Sequence, residues 1–223
     1  MHQRISKKIV IYFLVFILVS SIGNYSLINF NFHKDVRFNI AGLDDSDILN
    51  MIKNFKNLNI KNIFFLKKSK ISEIIESNAL VENYNVFKKY PSTLVIKIED
   101  TNFLAKINFN NEIYIIGSNG KLINNNNNKN ENLPFIFGKP EINEFLNFKR
   151  LIDESKFSYD QIKNLYFFPS KRWDVELNNQ LLLKLSKNDI KDSLNQAFKF
   201  FNNNNFKEIK FIDARIKNQI IIK

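Results

Sequence analysis

Cysteine is absent from this chain of 223 residues. The protein therefore forms no disulfide, and no thiolate is available as a nucleophile or as a metal ligand. Because proteins without disulfides occur in the cytoplasm and in a bacterial periplasm alike, this absence leaves the compartment open. Thiol catalysis and cysteine-ligated metal sites are excluded.

Glycine and histidine are also scarce. The five glycines, at positions 23, 42, 117, 120 and 138, cannot form a P-loop or a dinucleotide-binding fingerprint. The two histidines are His2 and His33, and a serine triad could draw only on His33, which lies in a linker after an apolar segment. We therefore expect a protein without catalytic residues, cofactor, metal or small-molecule substrate.

The acidic residues do not change this expectation. Asp44, Asp45 and Asp47 precede a predicted helix, where carboxylates cap the first backbone N–H groups and complement the helix dipole. The pairs Glu99–Asp100 and Asp153–Glu154 are neighbours in sequence, so their side chains point apart on a strand or a helix. We assign these carboxylates structural roles.

The net charge of +11 raises the question of an anionic partner. The basic residues are nearly all lysines, dispersed among Asn, Ile and Phe, and they form no arginine-rich or aromatic-interleaved stripe of the kind that binds nucleic acid. We therefore expect no nucleic-acid partner. The 23 phenylalanines indicate a folded chain that buries large apolar side chains.

The one long apolar run lies near the N-terminus. No charged residue occurs between Lys8 and Lys34, and a helix over the 19 residues Ile9 to Leu27 would span roughly 28 Å. This run predicts a transmembrane helix over residues 9–28. Basic residues in the tail 1–8 favour a cytoplasmic N-terminus, so the sequence predicts a single-pass protein of the cell inner membrane whose bulk is periplasmic.

Two other interpretations of the apolar run stay open. Ser21 and Gly23 are small residues at a spacing that a signal peptidase accepts, which would make the run a cleaved signal peptide. The run could also form a core helix, although none of its faces is polar.

Residues 34–102 show the order strand, helix, helix, strand, strand. A short strand over 36–40 is followed by a helix with Met51 and Phe55 on its apolar face, and by a second helix over 70–77. Residues 80–88 are extended, the chain turns at Tyr90 and Pro91, and the alternation of Leu94, Ile96 and Ile98 predicts a final strand. Two helices on one face of a small sheet form an α+β unit.

Residues 103–223 are predicted to form a mostly antiparallel β domain with two helices. Asn110–Asn111 and Asn119–Gly120 separate extended runs, as expected for hairpins, and Asn124 to Asn128 read as a loop. The predicted helices are 141–155 and one that carries Ile190, Leu194, Ala197, Phe198 and Phe201. The predicted strands are 104–109, 112–116, 121–123, 162–168, 172–177, 181–185, 208–215 and 219–222.

Short motifs in this order resemble those of a known family. Phe38-Asn39-Ile40-Ala41-Gly42 is similar to an opening strand with a glycine turn, and Lys89-Tyr90-Pro91-Ser92-Thr93-Leu94, followed by Glu99, to a basic-aromatic-Pro-x-x-Leu strand that ends in an acid. Further along, Leu133-Pro134 with Gly138, Arg172-Trp173-Asp174-Val175 and Ile212-Asp213-Ala214-Arg215 are similar to three later segments. The resemblance is to the FtsQ/DivIB cell-division family, in which a POTRA domain precedes a β domain, and the Arg-Trp strand is most like that of alphaproteobacterial members.

Three positions depart from the family pattern. Asp100 stands where an arginine usually follows the acid, Phe103 where a proline is common, and Gly117 where an aspartate often precedes the turn. These departures weaken local arguments and leave the layout unchanged. The residues that carry the motifs structurally are Gly42, Tyr90, Pro91, Leu94, Glu99, Gly120, Arg172, Trp173 and Asp213.

The resemblance implies a non-enzymatic organiser of the divisome that links early and late septal proteins, with its last strands pairing with the membrane proteins FtsB and FtsL. An exposed edge strand presents unpaired N–H and C=O groups that an incoming segment can extend. The candidate residues are Arg215, Ile216, Asn218, Ile220, Ile221 and Ile222. The alternatives are an ordinary core strand, with Arg215 merely paired to Asp213, and, for function, another POTRA-bearing envelope assembly or export component.

Overall fold

The computed structural model of the protein describes residues 7–22, 35–58, 63–124, 132–203 and 209–223. Its first helix, α1 (Lys7–Ile22), has 16 residues and exposes its apolar side chains on all sides. The predicted loop at Asn124 to Asn128 lies almost wholly outside the described residues.

The predicted transmembrane helix over residues 9–28, and with it the membrane-spanning part of the predicted fold class, is wrong. No helix in the described part of the chain is long and apolar enough to cross a membrane. Helix α1 begins at Lys7 and ends at Ile22, so it measures about 24 Å, whereas a bilayer core is about 30 Å thick. Residues 23–28 of the predicted span lie outside the described residues.

The next unit has the predicted order of elements. Its elements are β1 (Arg37–Ala41), α2 (Asp45–Asn57), α3 (Lys68–Glu76), β2 (Val81–Lys89) and β3 (Thr93–Asp100). The sheet order is β1-β3-β2, with β1 parallel and β2 antiparallel to the central β3. We refer to this sheet and its two helices as the three-stranded unit.

Helices α2 and α3 cover one face of this sheet. Met51, Phe55, Ile71 and Ile75 from the helices are buried together with Leu94, Ile96 and Ile98 of β3. The helical residues recur every three or four positions and the strand residues every two, so each element turns one apolar face to the same core. The alternate residues of the strands point away from the helices.

The remaining elements form a nine-stranded sheet with two helices. They are β4 (Phe103–Phe109), β5 (Glu112–Gly117), β6 (Leu122–Asn124), β7 (Phe135–Phe137), α4 (Ile142–Asp153), β8 (Ile162–Phe167), β9 (Trp173–Leu177), β10 (Leu182–Leu185), α5 (Ile190–Asn203), β11 (Phe211–Ala214) and β12 (Ile221–Ile222). The order across the sheet is β12-β11-β10-β9-β8-β7-β4-β5-β6. Most neighbouring strands are antiparallel, as predicted.

Strand β7 was not predicted. It has three residues, too few to show an alternating pattern, yet it joins β4 to β8 by parallel pairing on both sides. The two halves of the sheet become continuous only through this short segment. The predicted α+β class of the folded part is otherwise confirmed.

The core of the nine-stranded sheet forms around Trp173. Its ring stacks on Phe148 of α4, with centroids 4.4 Å apart and an interplanar angle of 6°. Phe145 and Phe167 pack beside the same ring. Helix α4 begins at the position expected from Pro140, and a capping box between Glu141 and Glu144 closes its first turn.

Polar side chains join the two units. The Asn119 side-chain amide donates to the carbonyl oxygens of Ala79 (2.8 Å) and Val81 (2.9 Å). Lys121 Nζ donates to the Glu76 carbonyl oxygen (2.6 Å), which lies at the C-terminus of α3, where a cation is favoured. The two apolar cores are separate, so these contacts set the junction. The domain boundary predicted between residues 102 and 103 stays a prediction.

Substitution of Gly42 tests the turn after β1. Gly42 has φ +109°, and a Cβ there would lie 1.8 Å from the backbone oxygen of Ile98. We expect Gly42→Ala to lower the free energy of unfolding by about 3 kcal/mol or more, since the obstructing atom is backbone and cannot move aside cheaply.

Gly120→Ala is the matched control. Its φ is +74° and the nearest side-chain atom to a new Cβ is 3.3 Å away, so only the left-handed backbone opposes the alanine. That cost is about 1 kcal/mol. Urea unfolding of both variants measures the difference, and equal losses would contradict the role assigned to the Ile98 contact.

Candidate partner-binding edge

Strand β12 ends the nine-stranded sheet on one side. Ile221 pairs with Asp213, and Ile222 with Ile212, both in antiparallel register with β11. The ladder continues to Lys223, whose N–H donates to Phe211 O (3.3 Å) and whose carbonyl accepts from Phe211 N (3.2 Å). Within the described residues, no strand pairs with the far side of β12.

The hydrogen-bond pattern shows which backbone groups face the open side. In an antiparallel ladder, residue pairs that exchange both bonds alternate with pairs that exchange none. Because Lys223 and Phe211 exchange both bonds, Ile222 and Ile212 form a non-bonded pair. The N–H and C=O of Ile222 therefore point away from β11, where an incoming strand could bind them.

Apolar side chains surround this open backbone. Ile216, Ile221 and Ile222 are 54%, 45% and 43% exposed. Ile221 shares a face with Asp213, whereas Ile222 shares the helix-covered face with the buried Ile212. An added strand would therefore meet an isoleucine on either face of the sheet.

The candidate edge residues lie between 215 and 222, and the last predicted strand there, 219–222, is shorter in the structure. Only Ile221 and Ile222 of the six candidate residues lie in β12. Asn218 has φ +61° in a turn that Gln219 N closes on Ile216 O (3.2 Å), and Ile220 packs against the main core. The positive φ ends any extended run, and asparagine tolerates it.

Arg215 lies just beyond β11 and is paired within the chain. Its Nε donates to Asp213 Oδ1 (2.8 Å) and its Nη2 to Asp213 Oδ2 (2.5 Å). The Arg215 guanidinium holds the pKa of the buried Asp213 carboxyl below its usual value, and the Arg215 pKa is raised in turn. Of the roles weighed for Arg215, the structure shows the intrachain pair.

A similar pair occurs two strands away. Arg172 Nε donates to Asp174 Oδ1 (3.1 Å), and Arg172 Nη2 to Oδ2 (3.2 Å). Here burial dominates and raises the pKa of Asp174, although the arginine opposes this shift. Lys184 of β10 stands in register between Asp174 and Asp213, and its Nζ lies 4.3 Å from the ring centroid of Phe211. On the face of the sheet opposite the helices, the charges of these three strands are therefore matched within the chain.

The other motif residues are spread over both units. Leu94 and Trp173 are core residues, and Glu99 is exposed at the end of β3. Tyr90 stacks on Phe64 with ring centroids 4.6 Å apart, and Pro91 follows it in the turn between β2 and β3. Gly42 and Gly120 have the positive φ that their turns need. These residues build the fold and do not converge on one site.

Sequence reasoning missed the row formed by Asp174, Lys184 and Asp213. Its only signal is the alternation in 181–185, which places Lys184 between inward-facing leucines. Within the described ranges, His, Asp and Glu side chains form no group able to hold a metal ion.

Comparison with known proteins gives this architecture a family. The sequence model described as "Cell division protein FtsQ/DivIB, C-terminal" matches residues 105–215. Relatives named "Cell division protein FtsQ" include those of Rickettsia bellii, 25% identical over 81% of this chain and 67% of the relative, and Rickettsia prowazekii, 24% identical over 82% and 70%. The Rickettsia felis relative is 25% identical over 72% of this chain and 61% of its own.

This chain therefore spans about two thirds of the length of these relatives. A solved structure of the major extracytoplasmic domain of DivIB from Geobacillus stearothermophilus aligns with 49% of this chain and 99% of that chain at 14% identity. Its TM-score of 0.35 is too low to support a conclusion about fold. The family match and the rickettsial relatives confirm the predicted resemblance to the FtsQ/DivIB family of cell division proteins and its alphaproteobacterial affinity.

Proposed function

We propose that this protein is a non-catalytic scaffold of the divisome, which links early and late septal proteins through its folded units. We assign residues 34–102 to a POTRA-like domain and residues 103–223 to an FtsQ-type β domain. The open edge of β12 binds an extended segment of an FtsB- or FtsL-type protein. The observation that carries this proposal is the outward-facing backbone of Ile222.

Strand addition accounts for how such a segment would bind. An incoming strand gains main-chain hydrogen bonds to Ile222, and its alternate side chains cover Ile221 on one face and Ile222 on the other. Because β12 offers few backbone groups, the total binding energy is small. Confinement of both partners at one place would raise their effective concentration and compensate for this weakness.

The paired charges support a scaffold over an enzyme. The buried Asp174 and Asp213 are each held by an arginine, which leaves neither as an accessible general base. The Asp213–Arg215 pair lies on β11, the strand that pairs with β12, and holds the end of that strand through charge-assisted hydrogen bonds.

The edge mechanism is tested with Ile222→Pro. Proline removes an N–H that faces the open side, so the variant should fold and yet bind an FtsB-type segment at least about ten-fold more weakly. Ile222→Val keeps the N–H and should bind nearly as well as the unchanged chain. Affinity is measured by titration of the purified segment.

A third variant separates binding from folding. Ile221 belongs to the bonded pair with Asp213, so Ile221→Pro should detach β12 from β11 as well as weaken binding. Hydrogen exchange at Asp213 reports this detachment. Undiminished binding by a folded Ile222→Pro protein would reject the edge mechanism.

The proposed place of action is the periplasmic side of the division septum. A fluorescent fusion of the full chain should concentrate at midcell in dividing cells, and a uniform envelope signal would contradict a division role. Alkaline phosphatase joined after Lys223 should be active, because that enzyme needs disulfides that form only after export. An inactive fusion would contradict the compartment alone.

The Asp213–Arg215 pair should make the free energy of unfolding depend on pH. A carboxyl with a depressed pKa in the folded state contributes stability above its unfolded pKa near 4, and this contribution is lost as the pH falls through the folded pKa. Asp213→Asn should therefore cost about 1 kcal/mol at pH 7 and progressively less below pH 4.

Asp174→Asn supplies the contrast. The pKa of Asp174 is raised, so the stability linked to its protonated form is present at low pH and is lost as the pH rises through the folded pKa. The cost of Asp174→Asn should thus be larger at low pH than at pH 7. Unfolding curves across this range test both signs, and parallel trends for the two variants would contradict the assignment.

A further inference from the structure

The face of the three-stranded sheet that points away from α2 and α3 is exposed and basic. Its rows follow from the strand register, with Arg37 beside Thr93 and Lys89 in one row, and Asn39 beside Val95 and Phe87 in the next. A third row places Ala41 beside Lys97 and Asn85. Three cations on this face therefore stand against one carboxylate, Glu99, at its far end.

The described part of the chain supplies no carboxylate partner for these cations. Arg37, Lys89 and Lys97 form no ion pair with any described residue. The polar face of the nine-stranded sheet differs, because there Arg172 and Arg215 are paired and Lys184 lies over an aromatic ring. The same chain thus neutralises the cations of one sheet face and leaves those of the other available.

An aromatic side chain projects from the centre of the basic face. Phe87 is 52% exposed and lies one row from Lys89 and one row from Lys97, beside the half-buried Val95. Exposed aromatic rings among flexible basic side chains are typical of surfaces that meet lipid headgroups, where the ring enters the interface and the cations bind phosphate.

The shape of the face favours a planar ligand over a protein segment. An extended peptide binds in a groove or along a strand edge, and a groove of this unit lies between α3 and β2, where Ile71, Tyr84 and Val86 line it. The cations of the basic face occupy two outer rows with Phe87 between them. We propose that this face binds the surface of an anionic phospholipid bilayer.

The binding is electrostatic with a shallow apolar contact. Each lysine or arginine near an anionic surface strengthens partitioning about five-fold, and salt weakens this contribution within a Debye length. This contact orients the three-stranded unit on a membrane surface. It does not involve the partner edge at β12.

The test uses the full chain. Because α1 alone could carry the protein to any vesicle, the readout is the local environment of a label and not vesicle binding as such. The absence of cysteine allows one environment-sensitive fluorophore to be placed by Asn85→Cys on the basic face, or by Asn54→Cys on α2 as the matched control site. With vesicles that contain phosphatidylglycerol, the label at 85 should shift to shorter wavelength and be quenched by nitroxide lipids. The label at 54 should not respond, and neither label should respond to pure phosphatidylcholine.

Charge variants establish the cause. The double variant Lys89→Gln, Lys97→Gln should lower the vesicle partitioning reported by the label at 85 about 25-fold. The double variant Lys53→Gln, Lys56→Gln, which changes two exposed lysines on α2, should leave this partitioning unchanged. Equal responses at both label sites, or an undiminished response in the first double variant, would overturn the proposal. So would a label at 85 that responds to poly-L-glutamate and not to the anionic vesicles, since that result identifies an acidic protein segment as the ligand.

Discussion

Backbone hydrogen bonding across the nine-stranded sheet is the constraint on which the rest of the structure depends. Each inner strand pairs with a neighbour on both sides, and the sheet becomes continuous only because the three residues of β7 bridge β4 and β8. An open sheet must end, and on one side it ends at β12. The N–H and C=O groups of Ile222 are exposed because β12 is the end strand of this open sheet.

Charge is distributed differently over the two sheets. Asp174 and Asp213 lie in a tightly packed row, where an unpaired carboxylate would be costly, and each is accordingly held by an arginine two residues away in sequence. Arg37, Lys89 and Lys97 lie on a solvated face, where an unpaired cation costs little. The first arrangement neutralises carboxylates within the packed sheet, whereas the second leaves cations exposed to solvent.

Much of the fold follows from periodicity. The alternation of Leu94, Ile96 and Ile98 predicts β3, and the spacing of Met51 and Phe55 predicts α2, because one buried face requires these periods. The prediction fails where the signal is short or where a turn intervenes. β7 is too brief to show a period, and only Ile221 and Ile222 of the predicted strand 219–222 form β12.

The N-terminal helix shows another limit. An uncharged run of 19 residues predicts a span, yet the described helix includes two lysines and ends at Ile22, so its length falls short of a bilayer core. Hydropathy scores residue types alone, whereas a span also needs a helix of sufficient length.

The sequence by itself determined the family, the element order of the three-stranded unit and the absence of thiol chemistry, since these depend on residue types and local spacing. Tertiary structure alone decided which backbone groups of β12 face outward, because that depends on the register between Phe211 and Lys223. It also decided between the roles open to Arg215, which pairs with Asp213, and it places Lys89 and Lys97 away from every carboxylate of the described residues. Long-range register and packing are properties of the assembled sheet, and residue order specifies them only through the complete fold.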